Sequence, residues 1–205
     1  MLSNRFITIE GIDGAGKSTQ AKFLEQHLAQ KGYRVILTRE PGGTQLGEQL
    51  RQILLDGKIP LSLDTEILLM FAARAEHIHQ VIRPALEKGY WVISDRFTDA
   101  TLAYQGGGHG ADFHRIQQLA HWVQQDISPY LTFLIDLPPE VAKMRLSTHC
   151  HLDRFESQTI DFHQRVHKAY LQIASKNPSR FIIIDGKQPV EVIQQAIVQP
   201  FNQLL

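Results

Sequence analysis

A glycine-rich stretch near the start of the chain has residue types and spacing suited to binding phosphate. It reads GIDGAGKST, which fits the pattern G-x-x-x-x-G-K-[ST] of a phosphate-binding loop. Glycines let successive backbone N–H groups turn toward one anion, and the helix that follows directs its positive end to the same anion. Lys17 adds a charge near the β- and γ-phosphates, and the Ser18 hydroxyl is placed to hold Mg²⁺. The stretch, called the P loop below, comprises Gly11, Ile12, Asp13, Gly14, Ala15, Gly16, Lys17, Ser18 and Thr19.

Charged residues after two later apolar segments could complete a site for phosphoryl transfer. Arg39 follows the apolar segment 33–38, and Asp95 and Arg96 follow the segment 90–94. An Asp beside a P loop suits a water ligand of Mg²⁺ or a general base, and an adjacent Arg suits the phosphate of an acceptor. The alternatives are a solvated Arg39 and an ordinary surface ion pair between Asp95 and Arg96.

Alternating apolar and helix-length segments give these residues a common location. Continuous apolar strands separated by helices indicate a parallel sheet that is covered on both faces, with ligands bound beyond the carboxyl ends of its strands. Residues that directly follow strands are therefore expected to meet at one edge of the sheet. We expect strands over 5–10, 33–38, 90–94, 131–136 and 180–185, and helices over 18–31, 64–88, 112–126, 139–148, 158–176 and 189–203.

Composition narrows the class of protein. The 205 residues carry 21 basic and 21 acidic side chains, so the overall charge gives no support to nucleic-acid binding. With a single cysteine the chain has no intrachain disulfide framework. It shows no signal-peptide pattern and no apolar run long enough to span a membrane. We expect one domain over 1–205, located in the cytoplasm.

A polar and cationic segment lies between two expected helices. It runs from about 145 to 157, and its composition suits a lid that closes over a triphosphate. The run His149-Cys150-His151 within it invites a zinc interpretation, but adjacent side chains splay apart and no second ligand pair at finger spacing follows. Asp136, at the end of a strand, is interpreted as a turn residue rather than a catalytic one.

Beyond the P loop, three stretches make the chain resemble the bacterial thymidylate kinases over essentially its whole length. They are TREPGGT at 38–44, MFAAR at 70–74, and DRF at 95–97 continuing through AYQGGG at 103–108. The resemblance implies an α/β fold, the three-layer P-loop kinase fold with a five-stranded parallel sheet flanked by helices and a short lid. It also implies a homodimer packed through helices. The implied reaction is transfer of the γ-phosphoryl group of ATP to dTMP, giving dTDP and ADP with Mg²⁺, in dTTP biosynthesis.

The resemblance assigns roles to residues that handle phosphate. Lys17 and Ser18 match the positions that contact the ATP phosphates and Mg²⁺, and Asp95 matches an acid linked to the metal. Arg39 and Arg96 match a clamp on the acceptor phosphate. The expected metal ligands are thus Ser18 and Asp95.

It also assigns roles around the dTMP nucleoside. Asp13 matches an acidic loop residue that faces the sugar and phosphate, and Arg74 matches an arginine that reads the thymine edge. Tyr104 matches a residue that crowds the 2′ position and so favours deoxyribose. Thr101 and Gln105 match positions near the base.

The sequence departs from the family pattern in two places. Many members carry an aromatic ring four residues before the base-reading arginine, where this chain has Met70. Phe71 lies three residues before Arg74, and because both spacings fall on one helix face, Phe71 is expected to stack on thymine.

The second departure concerns the cation that stabilises the transferring phosphoryl group. Members whose P loop lacks arginine usually have an arginine-rich lid, but this lid has Ser147 and His149 where arginine is common. Arg145 and Arg154 remain, and both carry charge at every relevant pH. Arg154 is the expected catalytic cation, and Arg145 is the alternative. His149 is expected to add a modest stabilisation of the transferring phosphoryl group that fades as pH rises.

Two other functions stay open on the sequence. One is another small-molecule kinase, acting on a deoxynucleoside or a shikimate-type acceptor. The other is a nucleotide-binding switch protein, although the sequence contains no Asn/Thr-Lys-x-Asp guanine-reading segment. The pair Asp95–Arg96 together with Arg74 favours an acceptor that carries phosphate.

Overall fold

The fold is built on a five-stranded parallel sheet. The computed structural model describes residues 2–147 and 153–201. The strands stand in the order β2-β3-β1-β4-β5, and every neighbouring pair is parallel. This confirms the five strands expected from the apolar segments. Their bounds are β1 Phe6–Glu10, β2 Val35–Arg39, β3 Trp91–Asp95, β4 Leu131–Asp136 and β5 Phe181–Asp185.

Helices link successive strands and cover the sheet. A 3₁₀ turn over Leu2–Arg5 precedes β1, and π-helical turns cover Ile78–Ile82 and Leu102–Gly108. The expected helix over 64–88 is a continuous run of α3, the first π-helical turn and α4. Within the described residues the α-helices are α1 Lys17–Gln30, α2 Gln45–Asp56, α3 Leu63–His77, α4 Arg83–Glu87, α5 Thr98–Thr101, α6 Phe113–Gln124, α7 Pro139–Leu146, α8 Ile160–Lys176 and α9 Val190–Val198.

Two helical segments lie outside the helix ranges expected from the sequence. Helix α2 begins after Thr44, whose hydroxyl accepts a hydrogen bond from Gly47 N at 2.9 Å and so caps the helix. Helix α5 and the π-helical turn after it occupy the segment that follows Arg96. Both segments come directly after a strand, so both help to build the carboxyl edge of the sheet.

The central strand is covered on both of its faces. All five residues of β1 are buried, although their side chains alternate between the two faces of the sheet. Phe6 packs edge-to-face against Phe97 with ring centroids 5.0 Å apart, whereas Ile7 and Ile9 belong to the larger core that includes Leu24 of α1. This burial explains why β1 reads as a continuous apolar run.

Strand order brings the expected site residues together. β1 lies between β3 and β4, and Asp95 pairs in register with Ile9 on one side and Arg39 on the other. The P loop, Arg39 and the Asp95–Arg96 pair therefore share one edge of the sheet. Among the described residues no helix is long and apolar enough to cross a membrane. The candidate zinc residues His149, Cys150 and His151 lie outside the described residues.

A buried carboxyl group ends the central strand. Glu10 has no exposed surface, and its oxygens accept hydrogen bonds from Phe97 N at 2.7 Å and from the Tyr170 hydroxyl at 2.8 Å. Burial, with a smaller contribution from the charge of Asp99, raises the pKa of Glu10 from 4.5 to about 8. The folded chain therefore binds the Glu10 proton more tightly than the unfolded chain does.

This difference predicts how stability depends on pH. Because the pKa of Glu10 is higher in the folded state, the free energy of unfolding falls as pH rises from about 4.5 to about 8. Glu10→Gln removes that titration, so the stability of the variant relative to the wild type should improve as pH rises through this range. Urea unfolding of both proteins at several pH values measures the difference, in which unchanged groups cancel. A difference that stays constant with pH would contradict the raised pKa.

Candidate active site

The P loop forms the turn between β1 and α1. Gly14 and Gly16 adopt φ values of 79° and 91°, a region that favours glycine. A Cβ atom on Gly14 would lie 2.8 Å from the carbonyl oxygen of Ala142, so the backbone also passes too close to α7 for a side chain. Ile12 and Ala15 are buried in the core and support the loop from below. Helix α1 starts at Lys17, so its N-terminal end faces the loop.

The side chain of Lys17 folds back against the P loop. Its side chain is 8% exposed, and Nζ donates a hydrogen bond to the carbonyl of Ile12 at 2.8 Å and lies 4.0 Å from Asp13 Oδ1. Burial and the nearby charge of Arg96 lower the pKa of Lys17. An anion bound in the loop would favour the charged form of this side chain.

Two oxygen-bearing side chains meet beside the P loop. The Ser18 hydroxyl donates a hydrogen bond to Asp95 Oδ2 at 2.5 Å, which joins the start of α1 to the end of β3. A hydroxyl and a carboxylate are hard oxygen ligands of the kind that Mg²⁺ uses together with phosphate oxygens and water. The donor set therefore fits Mg²⁺ bound to a nucleotide. The described residues contain no cluster of three or more His, Cys, Asp or Glu side chains that would hold a metal alone.

Arg96 connects most of the elements at this edge. Its backbone has φ 73°, and this left-handed conformation turns the chain after β3 toward the P loop. Nη1 donates to the carbonyl of Gly11 at 2.9 Å and to the Tyr170 hydroxyl at 3.0 Å, and Nη2 donates to Asp13 Oδ1 at 2.5 Å and to the Tyr104 hydroxyl at 2.9 Å. Burial lowers the pKa of Arg96, but the neighbouring Tyr104 and Asp13 raise it well above its ordinary value.

Asp13 faces the same guanidinium and stays ionised. Burial alone would raise the pKa of Asp13, but the charges of Arg96 and Lys17 lower it far below its ordinary value. The Tyr104 hydroxyl donates to Asp13 Oδ2 at 2.7 Å. A carboxylate at this place balances two of the cations around it and leaves them in fixed positions.

Five cations line a cavity over the P loop. Lys17 and Arg96 are joined there by Arg39, Arg51 and Arg145. Burial and the nearby Arg39 lower the pKa of Arg51, whose Nη1 donates to the carbonyl of Pro41 at 2.9 Å. Cations gathered in one cavity can bind phosphate oxygens, although an equal number of carboxylates lines the same cavity. The acidic side chains along the same cavity are Asp13, Glu40, Asp95, Asp153 and Glu156.

A second cavity opens from the first and is mostly apolar. Asp13 and Arg96 line both cavities, and the second is closed by Met70, Phe97 and Phe155 among others. This combination of apolar walls and a few fixed polar groups is typical of a site for a small organic ligand.

Arg74 is one of the charged residues that line the second cavity. Nε donates to Glu40 Oε2 at 2.7 Å, and Nη2 donates to the Thr101 hydroxyl at 3.0 Å. Its Nη1 is buried and has no hydrogen-bond partner within the described residues. A buried donor without a partner is costly, which makes this atom a candidate donor to a ligand.

The side chain that faces the second cavity beside Arg74 is Met70, not Phe71. Phe71 is 2% exposed and packs beneath the guanidinium of Arg74, with Cζ 4.7 Å from the ring centroid. Met70 lies one turn before Arg74 on α3 and lines the cavity, as does Phe97. Phe71 therefore supports Arg74 from the core.

Gln105 and Arg154 share a buried carboxylate. Gln105 lines the second cavity, and its Nε2 donates to Glu66 Oε1 at 2.7 Å. Nη2 of Arg154 donates to Glu66 Oε2, and the backbone N–H of Arg154 donates to the carbonyl of Leu55 at 3.2 Å. The structure thus ties Arg154 to α3 and α2, outside the residues that line the cavity over the P loop. His149, the third expected lid cation, lies outside the described residues.

Arg145 lies on the other side of the P loop. It is near the C-terminal end of α7, and Nη2 donates to the carbonyl of Gly186 at 3.0 Å, in the turn after β5. Because this turn lies at the carboxyl edge of the sheet, Arg145 joins the rim of the cavity over the P loop.

Several groups of the site were not expected from the sequence. Tyr170 and Glu66 act through contacts with residues that are distant in sequence, and Arg51 occupies an amphipathic helix outside the expected helix ranges. Glu40 stood within the recognised stretch 38–44 but received no role. Only α2 had a local signal, the capping Thr44.

Comparisons with known proteins agree with this geometry. The family model for thymidylate kinase matches residues 9–197. The chain is 51% identical over 201 residues to the thymidylate kinase of Chromobacterium violaceum, covering 98% of this chain and 95% of that protein. It is 52% identical over 198 residues to the thymidylate kinase of Ralstonia nicotianae, covering 95% and 96%.

A solved structure extends the similarity to the whole fold. The crystal structure of thymidylate kinase from Ehrlichia chaffeensis superposes with a TM-score of 0.79 at 36% identity and covers 96% of this chain and 97% of that one. The sheet with its P loop, the carboxyl-edge cations and these matches lead to one conclusion. The chain belongs to the thymidylate kinase family.

Proposed function

We propose that the two connected cavities bind dTMP and ATP and that the chain transfers the γ-phosphoryl group of ATP to dTMP, giving dTDP and ADP. The observation that carries the acceptor's identity is Arg74, which lines the second cavity and whose buried Nη1 has no hydrogen-bond partner within the described residues. Thymine presents a carbonyl acceptor at C4, whereas cytosine presents an amino donor there. A buried guanidinium donor therefore binds thymine and leaves cytosine with two opposed donors.

Polar groups that lead from this second cavity to the cavity over the P loop would bind the rest of dTMP. With the base between Met70 and Phe97, the sugar lies near Asp13 and Tyr104 and the phosphate reaches Arg96. Arg39 and Arg51 line the cavity over the P loop, so they place further positive charge near the same phosphate. Thr101 holds Arg74, and Gln105 lies in the wall around the base. The role of Tyr104 in selecting deoxyribose stays a prediction.

The P loop holds the triphosphate of ATP in this proposal. Its backbone N–H groups and Lys17 face the β- and γ-phosphates, and Ser18 with Asp95 holds Mg²⁺ directly or through water. A Mg²⁺ ion held by Ser18 and Asp95 would neutralise part of the negative charge on the transferring phosphoryl group. A phosphate oxygen of dTMP then attacks the γ-phosphorus, and the bond from that phosphorus to the bridging oxygen of ADP breaks. Arg96 and Lys17 keep the two reacting groups close despite their like charges.

The acceptor assignment predicts a clear order of substrates. We expect dTMP to be preferred over dCMP, dAMP and dGMP, with dUMP a weaker substrate. Arg74→Lys should lower kcat/KM for dTMP by about 10² or more, because an ammonium group cannot bond Glu40, Thr101 and a base together. Coupled measurement of ADP release with each monophosphate tests both statements, and Arg83→Lys, in an exposed ion pair with Asp126, is the matched control.

The same assay separates this function from the alternatives. A purine monophosphate as the best acceptor would overturn the thymidine assignment but not the kinase. Turnover with deoxynucleosides alone would indicate a different small-molecule kinase. Nucleotide binding without any turnover that depends on an acceptor would indicate a switch protein.

The two arginines of the lid region should differ in effect. Arg145 lines the phosphate cavity, whereas Arg154 is engaged with Glu66. We therefore expect Arg145→Ala to lower kcat/KM for ATP at least about tenfold more than Arg154→Ala does. Steady-state kinetics at saturating dTMP measures the two values. A larger loss in Arg154→Ala would show that the Arg154–Glu66 pair opens to bring Arg154 to the phosphates, as the sequence alone favoured.

We also propose that the protein is a homodimer packed through helices α3 and α6. Leu68 of α3 is 56% exposed and Trp122 of α6 is 74% exposed, and both line one groove between these helices. An exposed Trp and Leu side by side are typical of an interface between proteins. A second copy of the chain would remove both from water. The cytoplasmic location stays a prediction.

A charged substitution tests this interface. Trp122→Glu places charge in the middle of the groove, so it should convert a dimer to a monomer, as measured by light scattering at micromolar concentration. Met144→Glu, at an equally exposed apolar residue on α7, is the control and should leave the mass unchanged. A wild-type protein that is monomeric at this concentration would contradict the proposal.

A further inference from the structure

A buried histidine lies behind Arg74 and Arg39, two of the arginines that are proposed to hold the acceptor. His77, the last residue of α3, has no exposed surface and lines neither of the two cavities described above. Its Nδ1 is 2.9 Å from Glu40 Oε1, and its Nε2 is 2.6 Å from the hydroxyl of Thr38. The proposed mechanism gives this residue no role.

The bond to Glu40 has a defined direction. Burial raises the pKa of Glu40, but the charge of Arg74 and the hydrogen bond from His77 bring it below its ordinary value. An ionised carboxylate only accepts hydrogen bonds, so Nδ1 of His77 carries the proton. One oxygen of Glu40 thus accepts from His77 while the other accepts from Arg74 Nε at 2.7 Å.

The same ring also supports the turn that holds the acceptor phosphate. Glu40 belongs to the stretch 38–44, in which Arg39 lines the phosphate cavity. A Cβ atom on Gly43 would lie 2.7 Å from both Cδ2 and Nε2 of His77, so the backbone of the turn rests directly on the ring. His77 therefore contacts the turn of Arg39 on one side and, through Glu40, the guanidinium of Arg74 on the other.

We propose that His77 is a positioning residue that fixes Arg74 relative to the turn of Arg39, and so contributes to the choice of the acceptor base. The inference rests on the proposed function, because Arg74 and Arg39 act at the two ends of dTMP. A displacement of about 1 Å in a group that positions substrate costs about 10² in rate. If the donor on Arg74 shifts away from the C4 carbonyl of thymine, the enzyme should lose its preference for thymine over cytosine before it loses turnover.

Two amide substitutions separate the two nitrogens of the ring. The amide of His77→Asn reaches the place of Nδ1 and keeps a donor to Glu40, whereas the amide of His77→Gln reaches the place of Nε2 and leaves Glu40 without that donor. We expect the ratio of kcat/KM for dTMP to kcat/KM for dCMP to stay within about threefold of wild type in His77→Asn. In His77→Gln the ratio should fall at least about tenfold, with KM for dTMP raised more than kcat is lowered.

Two further variants control for a purely structural effect, and a third is a second test of the proposal. Thr38→Val removes only the partner of Nε2 and should keep the ratio. Thr8→Val breaks a buried hydrogen bond to Thr132 of 2.8 Å, away from Arg74, and should also keep it. His77→Phe keeps an aromatic ring without a nitrogen and should behave like His77→Gln, so it serves as the test if the glutamine variant does not fold.

The readout is independent of how much protein is active, because the active fraction cancels in the ratio. Equal ratios in His77→Asn and His77→Gln, or an unchanged ratio in His77→Phe, would overturn the positioning role while the thymidylate kinase assignment stands. A wild-type enzyme with no preference for dTMP would instead overturn the proposed function on which the inference rests.

Discussion

The ion pair between Arg96 and Asp13 is the interaction on which the rest of this site depends. It joins the turn after β3 to the P loop, and its guanidinium also bonds a carbonyl of the P loop and the hydroxyls of Tyr104 and Tyr170. Both partners are largely buried, so removal of either one would leave a desolvated charge at a cost of about 3–5 kcal/mol. Arg96 accepts a left-handed backbone because these contacts determine its conformation from every side.

Such a pair solves an electrostatic difficulty that every phosphotransfer site shares. Two phosphate-bearing substrates repel one another, and the cations that gather them repel one another too. In this chain Lys17, Arg51 and Arg96 share one cavity, where burial and, to a smaller extent, a neighbouring arginine lower the pKa of Lys17 and of Arg51. Carboxylates placed between the cations hold the cluster together before substrate arrives. Bound phosphates would then take over part of the charge balance that the carboxylates provide, in a site that is already assembled.

Much of this arrangement could be predicted from the sequence because its determinants are local. The P loop is defined by glycines between a strand and a helix, and Asp95 and Arg96 follow a strand whose end must lie at the ligand-binding edge. Contacts between residues that are distant in sequence leave no local signal, so the bond between the Tyr170 hydroxyl and Arg96 could not be predicted. The expected stacking of Phe71 relied on helix spacing alone, which does not decide whether position 70 or 71 faces the cavity.

Helix α3 gives these distant contacts a common frame. Glu66, Met70, Arg74 and His77 recur at intervals of three or four residues, so they form one stripe along the helix. Along this stripe Glu66 holds Gln105 and Arg154, Met70 and Arg74 line the base cavity, and His77 supports the turn of Arg39. Leu68 lies on the opposite side and is exposed. Helix α3 thus carries the acceptor site on one face and the proposed dimer contact on the other. Because the helix is rigid, association of two copies would also limit the movement of Arg74.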